Sequence, residues 1–190
     1  MVRLTFILVC TALAMAVPAR VDAEDPFPVI GNAAPEVSLT DQHNRPVRLS
    51  AFRGRLVLLT FIYTRCPDVC PLTTASLARV QRAARARGWW ERDAVFLTVT
   101  TDPRHDAPGV LMAYARRFKA DVPGWYFLSG PAARVRAVLE AYGVEVRAAR
   151  GGLQEHTLPT FVIDRRGIVL GAYGANPDPN DVLSDLEHLR

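Results

Sequence analysis

The chain has 190 residues, 49% hydrophobic and 22% charged, with 23 Lys+Arg against 19 Asp+Glu for a formal net charge of +4. This balance excludes a disordered chain, a collagen and a coiled coil, and the length fits one domain. The positive charge is nearly all Arg, with Lys119 the single lysine, and it is scattered along the chain, so no nucleic-acid partner is expected.

Residues 1–23 differ from the rest. Arg3 precedes an uncharged apolar run over 4–17, and Val21-Asp22-Ala23 ends on a small residue. That is the pattern of a secretory signal peptide. The run is shorter than the ~20 residues of a spanning helix, and an uncleaved anchor is the alternative. Cys10 lies inside the run and leaves with it, so the mature chain keeps Cys66 and Cys70. The expected location is the periplasm, an oxidising compartment. Residues 24–35, with Pro26, Pro28, Gly31 and Pro35, read as an extended linker, and 36–190 as the folded domain.

Within that domain, 36–40 and 46–49 flank a turn and read as a short hairpin. The stretch 56–63 (LVLLTFIY) lacks alternation, as does a strand buried on both faces, and 95–100 (VFLTVT) reads as a second strand. A helix is expected over 72–87. Leu77, Val80 and Ala84 share its inner face, and Arg79, Arg82 and Arg85 its solvated face. Further helices fall over 108–118 and 131–142, with a short strand-like piece at 125–128 between them. Two strands, 160–164 and 168–173, meet across Arg165-Arg166-Gly167, and a helix over 181–189 closes the chain. The order βαβ, helical segment, ββα predicts an α/β thioredoxin-like fold with an N-terminal β-hairpin and an inserted helix. Trp89-Trp90 is expected to cap the first helix against the core. His43 and His105 are expected to be exposed loop residues, and Asp106 to start the helix that follows it.

The chemistry concentrates in Tyr63-Thr64-Arg65-Cys66-Pro67-Asp68-Val69-Cys70-Pro71. A disulfide closing so small a loop adds little loop-closure stability, so the pair calls for a chemical role. Each Cys precedes a Pro, which biases both towards extended backbone. With Pro71 at the first helical position, Cys70 falls at the helix N-terminus, where the dipole favours a thiolate by ~0.3–1 kcal/mol. C-x-x-C spacing favours plain thiol exchange; the longer C-x-x-x-C also allows both sulfurs to hold one ion. Two sulfurs leave a shell incomplete. His156, after the hinge-like Gly151-Gly152 and before a core strand, is the candidate third ligand, with Leu158-Pro159 a candidate cis bond that brings it over the sulfurs. Two thiolates and one imidazole suit copper, as Cu(I) or Cu(II), whereas Zn(II) would want a fourth ligand.

YTRCPDVCP, the stretch from Thr101 to Pro108 (TDPRHDAP), and His156 followed by Phe161-Val162-Ile163-Asp164 resemble the Sco/SenC family of copper-binding, thioredoxin-like proteins. The resemblance runs from about Pro35 to Leu189. It implies copper held by Cys66, Cys70 and His156. It also implies delivery to the binuclear copper site of cytochrome c oxidase subunit II, with other periplasmic copper chaperones or thiol reductases as further partners. The family often carries Asp-His-Ser where this chain has Glu155-His156-Thr157, and Pro159 is more typical of thioredoxin-like reductases. The alternative is therefore a thiol–disulfide reductase using Cys66 and Cys70 on partner cysteines without stable metal binding.

Overall fold

The computed structural model describes residues 30–190, so the leader expected over 1–23 and the first half of the expected linker, 24–29, lie outside the described residues. A five-stranded sheet carries the domain. Its strands are β3 (Leu56–Ile62), β4 (Ala94–Thr100), β5 (Trp125–Leu128), β8 (Thr160–Ile163) and β9 (Val169–Tyr173), in the order β5-β4-β3-β8-β9. β3, β4 and β5 run parallel, from Leu56↔Ala94 to Ile62↔Thr100 and from Phe96↔Trp125 to Val99↔Leu128. β8 is antiparallel to β3 (Val57↔Ile163), and β9 is antiparallel to β8.

The two continuous apolar runs became the two central strands because both faces of the sheet are covered. All residues of β3 and β4 are buried. Side chains alternate across a strand, so Leu56, Leu58, Ile62 and Phe96 face one layer while Val57, Leu59, Phe61, Val95 and Leu97 face the other. On the first face pack α1 (Val69–Ala86), α2 (Pro108–Arg117) and α4 (Pro179–Leu189), through Leu77, Val80, Ala84, Leu111, Tyr114, Val182 and Leu186. On the second pack α3 (Ala132–Ala141), through Val135, Val138 and Leu139, and the hairpin of β1 (Ser38–Thr40) and β2 (Pro46–Arg48). The helical spacing read from the sequence matches these buried faces, and Arg79, Arg82 and Arg85 are exposed as expected. Trp89 is fully buried, with the Arg190 guanidinium 5.4 Å from its ring centroid.

Four features outside the cysteine loop and the segment that follows His156 differ from expectation. The piece at 125–128 is a full edge strand, β5. Residues 31–34 are not a free lead-in, because Gly31 N–H donates to Val169 C=O (2.8 Å) and Ala34 N–H to Gly167 C=O (2.9 Å). α4 begins two residues early, at Pro179, because the Asp178 carboxylate caps it by accepting from Asn180 N–H (2.7 Å). The last is a hairpin of β6 (Val146–Ala148) and β7 (Gln154–His156), paired Val146↔His156 to Ala148↔Gln154. It stands apart from the main sheet, and it carries the histidine. Among the described residues, no helix is long and apolar enough to cross a membrane.

Candidate functional site

The cysteine loop leaves the end of β3 and turns at once. Cys66 N–H donates to the Tyr63 carbonyl (3.2 Å). Thr64 is held by the fully buried Asp106, which accepts from Thr64 N–H (3.1 Å), Thr64 Oγ1 (2.5 Å) and Thr100 Oγ1 (2.5 Å). Arg65 reaches Asp102 Oδ2 (2.8 Å), and Asp102 also bonds His105 Nδ1 (2.9 Å). A buried carboxylate and a second, paired one thus clamp the loop to the end of β4.

α1 begins at Val69, earlier than expected. Cys70 is its second residue and Pro71 its third, so Cys70 is helical rather than extended. Pro71 is tolerated because N–H groups of the first turn have no partner within the helix. Cys70 is fully buried and Cys66 half-buried, and both are free thiols. Cys70 N–H donates to Cys66 Sγ at 3.4 Å, which puts the second sulfur at the helix entrance. Burial pushes the Cys70 thiol well above its ordinary range, against a Tyr63 backbone hydrogen bond, and the neighbouring Cys66 pushes it further. The thiolate preference expected from the helix terminus is therefore overridden at Cys70. An exposed dipole effect of ~1 kcal/mol does not match the cost of taking a charge out of water.

His156 arrives from the opposite side on β7. Its Nδ1 lies 2.8 Å from the Thr157 carbonyl, which can only accept, so Nδ1 carries the proton. Nε2 is then the free lone pair, and it faces Cys70 Sγ at 3.9 Å. Donors bound to one ion at ~2.3 Å (sulfur) and ~2.0 Å (nitrogen) stand about 3.5–3.7 Å apart, so a shift of a few tenths of an ångström fits the pair to an ion. Among the described residues, no three His, Cys, Asp or Glu side chains already close around a point. Cys66 Sγ is turned to the Cys70 amide and must swing to join them.

The cis bond expected at Leu158-Pro159 is absent: among the described residues every peptide is trans. The hairpin does the work that a cis turn was expected to do. Gly151, at φ +70° in its turn, takes a conformation that suits glycine.

Burial pushes the His156 pKa below its ordinary value, opposed by the Thr157 carbonyl. Its folded value is therefore below its unfolded ~6.5. The contribution of His156 to stability is present above ~6.5 and is lost as pH falls through the folded value. We expect the His156 ring protons to titrate below pH ~6.5 in NMR of the apo protein. A midpoint at or above that value would contradict the burial.

His43 lies elsewhere, bonded to Asp121 (3.0 Å), and His188 lines a groove between β9 and α4. His105 is exposed as expected but has partners, Asp102 and Arg65. Two residues at the site escaped sequence reading. Tyr63 and Gln154 bond each other twice across the site, Gln154 N–H to Tyr63 Oη (3.1 Å) and Tyr63 O–H to Gln154 C=O (3.2 Å). The available signal was a Tyr directly after the buried run of β3 and ahead of the two cysteines. A groove of about 800 Å³ between α3 and the hairpin is lined by Thr101, Asp102 and Gln154 rather than by the sulfurs.

Sheet order, a dithiol loop at the head of α1 and a histidine opposite define a thioredoxin-like dithiol protein with an imidazole facing one of its sulfurs. The SCO1/SenC family model matches residues 31–190, and the chain belongs to that family. Its sequence is 26% identical over 152 residues to the SCO1 protein homolog of Bacillus subtilis, covering 77% of each chain. It is similar in structure to Bradyrhizobium japonicum ScoI with copper bound, at a TM-score of 0.72, 26% identity and 84% and 100% coverage of the two chains. It is likewise similar to apo Sco1 of Thermus thermophilus, at a TM-score of 0.69, 32% identity and 88% and 94% coverage.

Proposed function

We propose that this chain is a copper-transfer protein of cytochrome c oxidase assembly, exported by its leader to the periplasm, that holds copper through Cys66, Cys70 and His156. The observation that carries this reading is the 3.9 Å approach of His156 Nε2, its other nitrogen occupied, to Cys70 Sγ. Membership in the SCO1/SenC family and likeness to a copper-bound relative support the metal. Copper is cargo here. The soft sulfurs favour Cu(I), and a ligand set of three protein donors leaves room for a donor from the recipient. Both thiols shed their protons on binding, so affinity rises with pH. The recipient in this reading is the binuclear site of subunit II. His156 is the ligand best placed to leave first, because it sits on a separate hairpin and not on the sheet.

His156→Ala is expected to lower Cu(I) affinity about 10–100-fold in a competition titration of the reduced protein while leaving its thiol–disulfide chemistry intact. Unchanged affinity would overturn His156 as a ligand.

One observation favours a second activity at the same sulfurs: Cys66 is half-buried beside a fully buried Cys70. In that reading the Cys66 thiolate attacks a partner disulfide, and Cys70 resolves the mixed disulfide. The partner leaves as a dithiol, and Cys66 and Cys70 are left oxidised to a disulfide.

A further inference from the structure

The histidine and the cysteines come from elements that share no backbone pairing. β7 pairs with β6, whereas the cysteine loop grows from β3. A two-stranded hairpin of three-residue strands is marginal on its own, so its placement depends on what ties it down. Gln154 supplies polar ties between β7 and the central sheet. Its main-chain N–H and C=O both bond the Tyr63 hydroxyl, and its side-chain Oε1 accepts from Thr101 Oγ1 (2.6 Å). Gln154 and His156 are two apart on a strand and so share its inward face, with Glu155 exposed opposite.

Tyr63 touches every part of the site. Its carbonyl accepts from Cys66 N–H (3.2 Å), and its phenol clamps Gln154. Its ring meets the His156 imidazole edge-on, with centroids 5.6 Å apart. The side chain is 2% exposed, so the hydroxyl is fixed rather than wandering.

We propose that Tyr63 is a positioning residue: its hydroxyl latches the β6–β7 hairpin through Gln154 and so sets how often His156 stands against the sulfurs. The latch rests on the ligand role of His156 argued above for its effect on metal, but not for its effect on the hairpin. Opening it frees the histidine without disturbing the cysteines, which is the motion that handing over cargo requires.

The test is Tyr63→Phe in the otherwise intact domain. Phenylalanine keeps the volume and the ring contact with His156 but leaves both main-chain groups of Gln154 without their partner. In the metal-free protein, amide exchange at Gln154 and His156 should rise about tenfold, while β3 and β4 amides stay protected. Thr101→Val, which removes the Thr101 Oγ1 bond to Gln154 Oε1 and leaves the longer Gln154 Nε2 bond to the Thr101 carbonyl (3.5 Å), should move exchange in the same direction. Cu(I) affinity should fall about tenfold in Tyr63→Phe. In a His156→Ala background the same substitution should change affinity by no more than about twofold, because the group it positions is gone.

Unchanged exchange at Gln154 and His156 would overturn the latch. So would an equal affinity loss in both backgrounds, which would mark a general structural effect. If His156→Ala alone leaves affinity unchanged, the ligand assignment fails, and the exchange measurement on apo protein still decides the latch.

Discussion

Replacing Cys70 with Ser is expected to weaken Cu(I) retention by on the order of 10³-fold, more than the loss of His156. Metal sites with four ligands bind with ~10–16 kcal/mol, or about 2.5–4 kcal/mol for each donor, and a hydroxyl is a poor substitute for a soft sulfur. Burial adds to the asymmetry. Cys70 is fully buried, and its thiol is held up by that burial, so in the metal-free protein it stays protonated at neutral pH. The ion must displace that proton, and the loss of affinity on acidification should be steep in the wild type and shallower in Cys70→Ser. A competition titration at two pH values reads both effects. The same variant separates the two proposed activities. With its resolving sulfur gone, Cys66 should accumulate as a mixed disulfide with a model disulfide substrate. If Cys70→Ser binds Cu(I) like the wild type, the two-sulfur site is wrong. If it also turns over disulfides normally, Cys70 has no part in either chemistry.

The central strands and four helices were legible because their signals are set by burial. β3 and β4 are buried along their whole length, and apolar but for Thr60, Thr98 and Thr100, since both faces are covered, and α2 and α3 repeat their apolar residues at helical spacing because one stripe is covered. Cys66, Cys70 and His156 stood out in the sequence by residue type and spacing, and the structure brings His156 Nε2 to 3.9 Å from Cys70 Sγ. The hairpin that delivers His156 was not. Val146-Arg147-Ala148 and Gln154-Glu155-His156 are too short to show a period and too polar to suggest a strand. The start of α1 was displaced because Pro71 was placed at the first helical position, whereas a first turn accepts proline two residues later as well. Asp106 was read as a helix-start residue because its partners are invisible in one dimension. Thr64 lies 42 residues away, and the bond to Thr100 forms only after the chain has turned back at the end of β4.

Asp106→Ala should cost about 3 kcal/mol of folding stability, which for a domain of this size lowers Tm by roughly 6–12 °C. The carboxylate is fully buried and accepts three hydrogen bonds, from Thr64 N–H, Thr64 Oγ1 and Thr100 Oγ1. The threonine hydroxyls can turn to other acceptors. The Thr64 amide cannot, and an unpaired buried donor accounts for most of the loss. Asp106→Asn keeps the shape and one carbonyl acceptor, so it should recover most of the stability and separate shape from charge. The charge has its own signature. Burial raises the Asp106 pKa, and it stays raised although the Thr100 and Thr64 hydrogen bonds pull it down; the Asp102 charge raises it further. A folded value above the unfolded ~3.9 means that the fold favours the protonated form. The stability tied to that proton is fully present below ~3.9 and is lost as pH rises through the folded value. Wild type should therefore gain on Asp106→Asn as pH falls from 7 towards 4, read from urea unfolding at both ends. The comparison cancels Asp121 and Asp164, whose lowered values work in the other direction in both proteins. A gap that moves the opposite way would mean that the hydrogen bonds outweigh the burial and that Asp106 is held as a charge. The sulfur loop would then be tethered at Thr64 by an anion that the site itself stabilises.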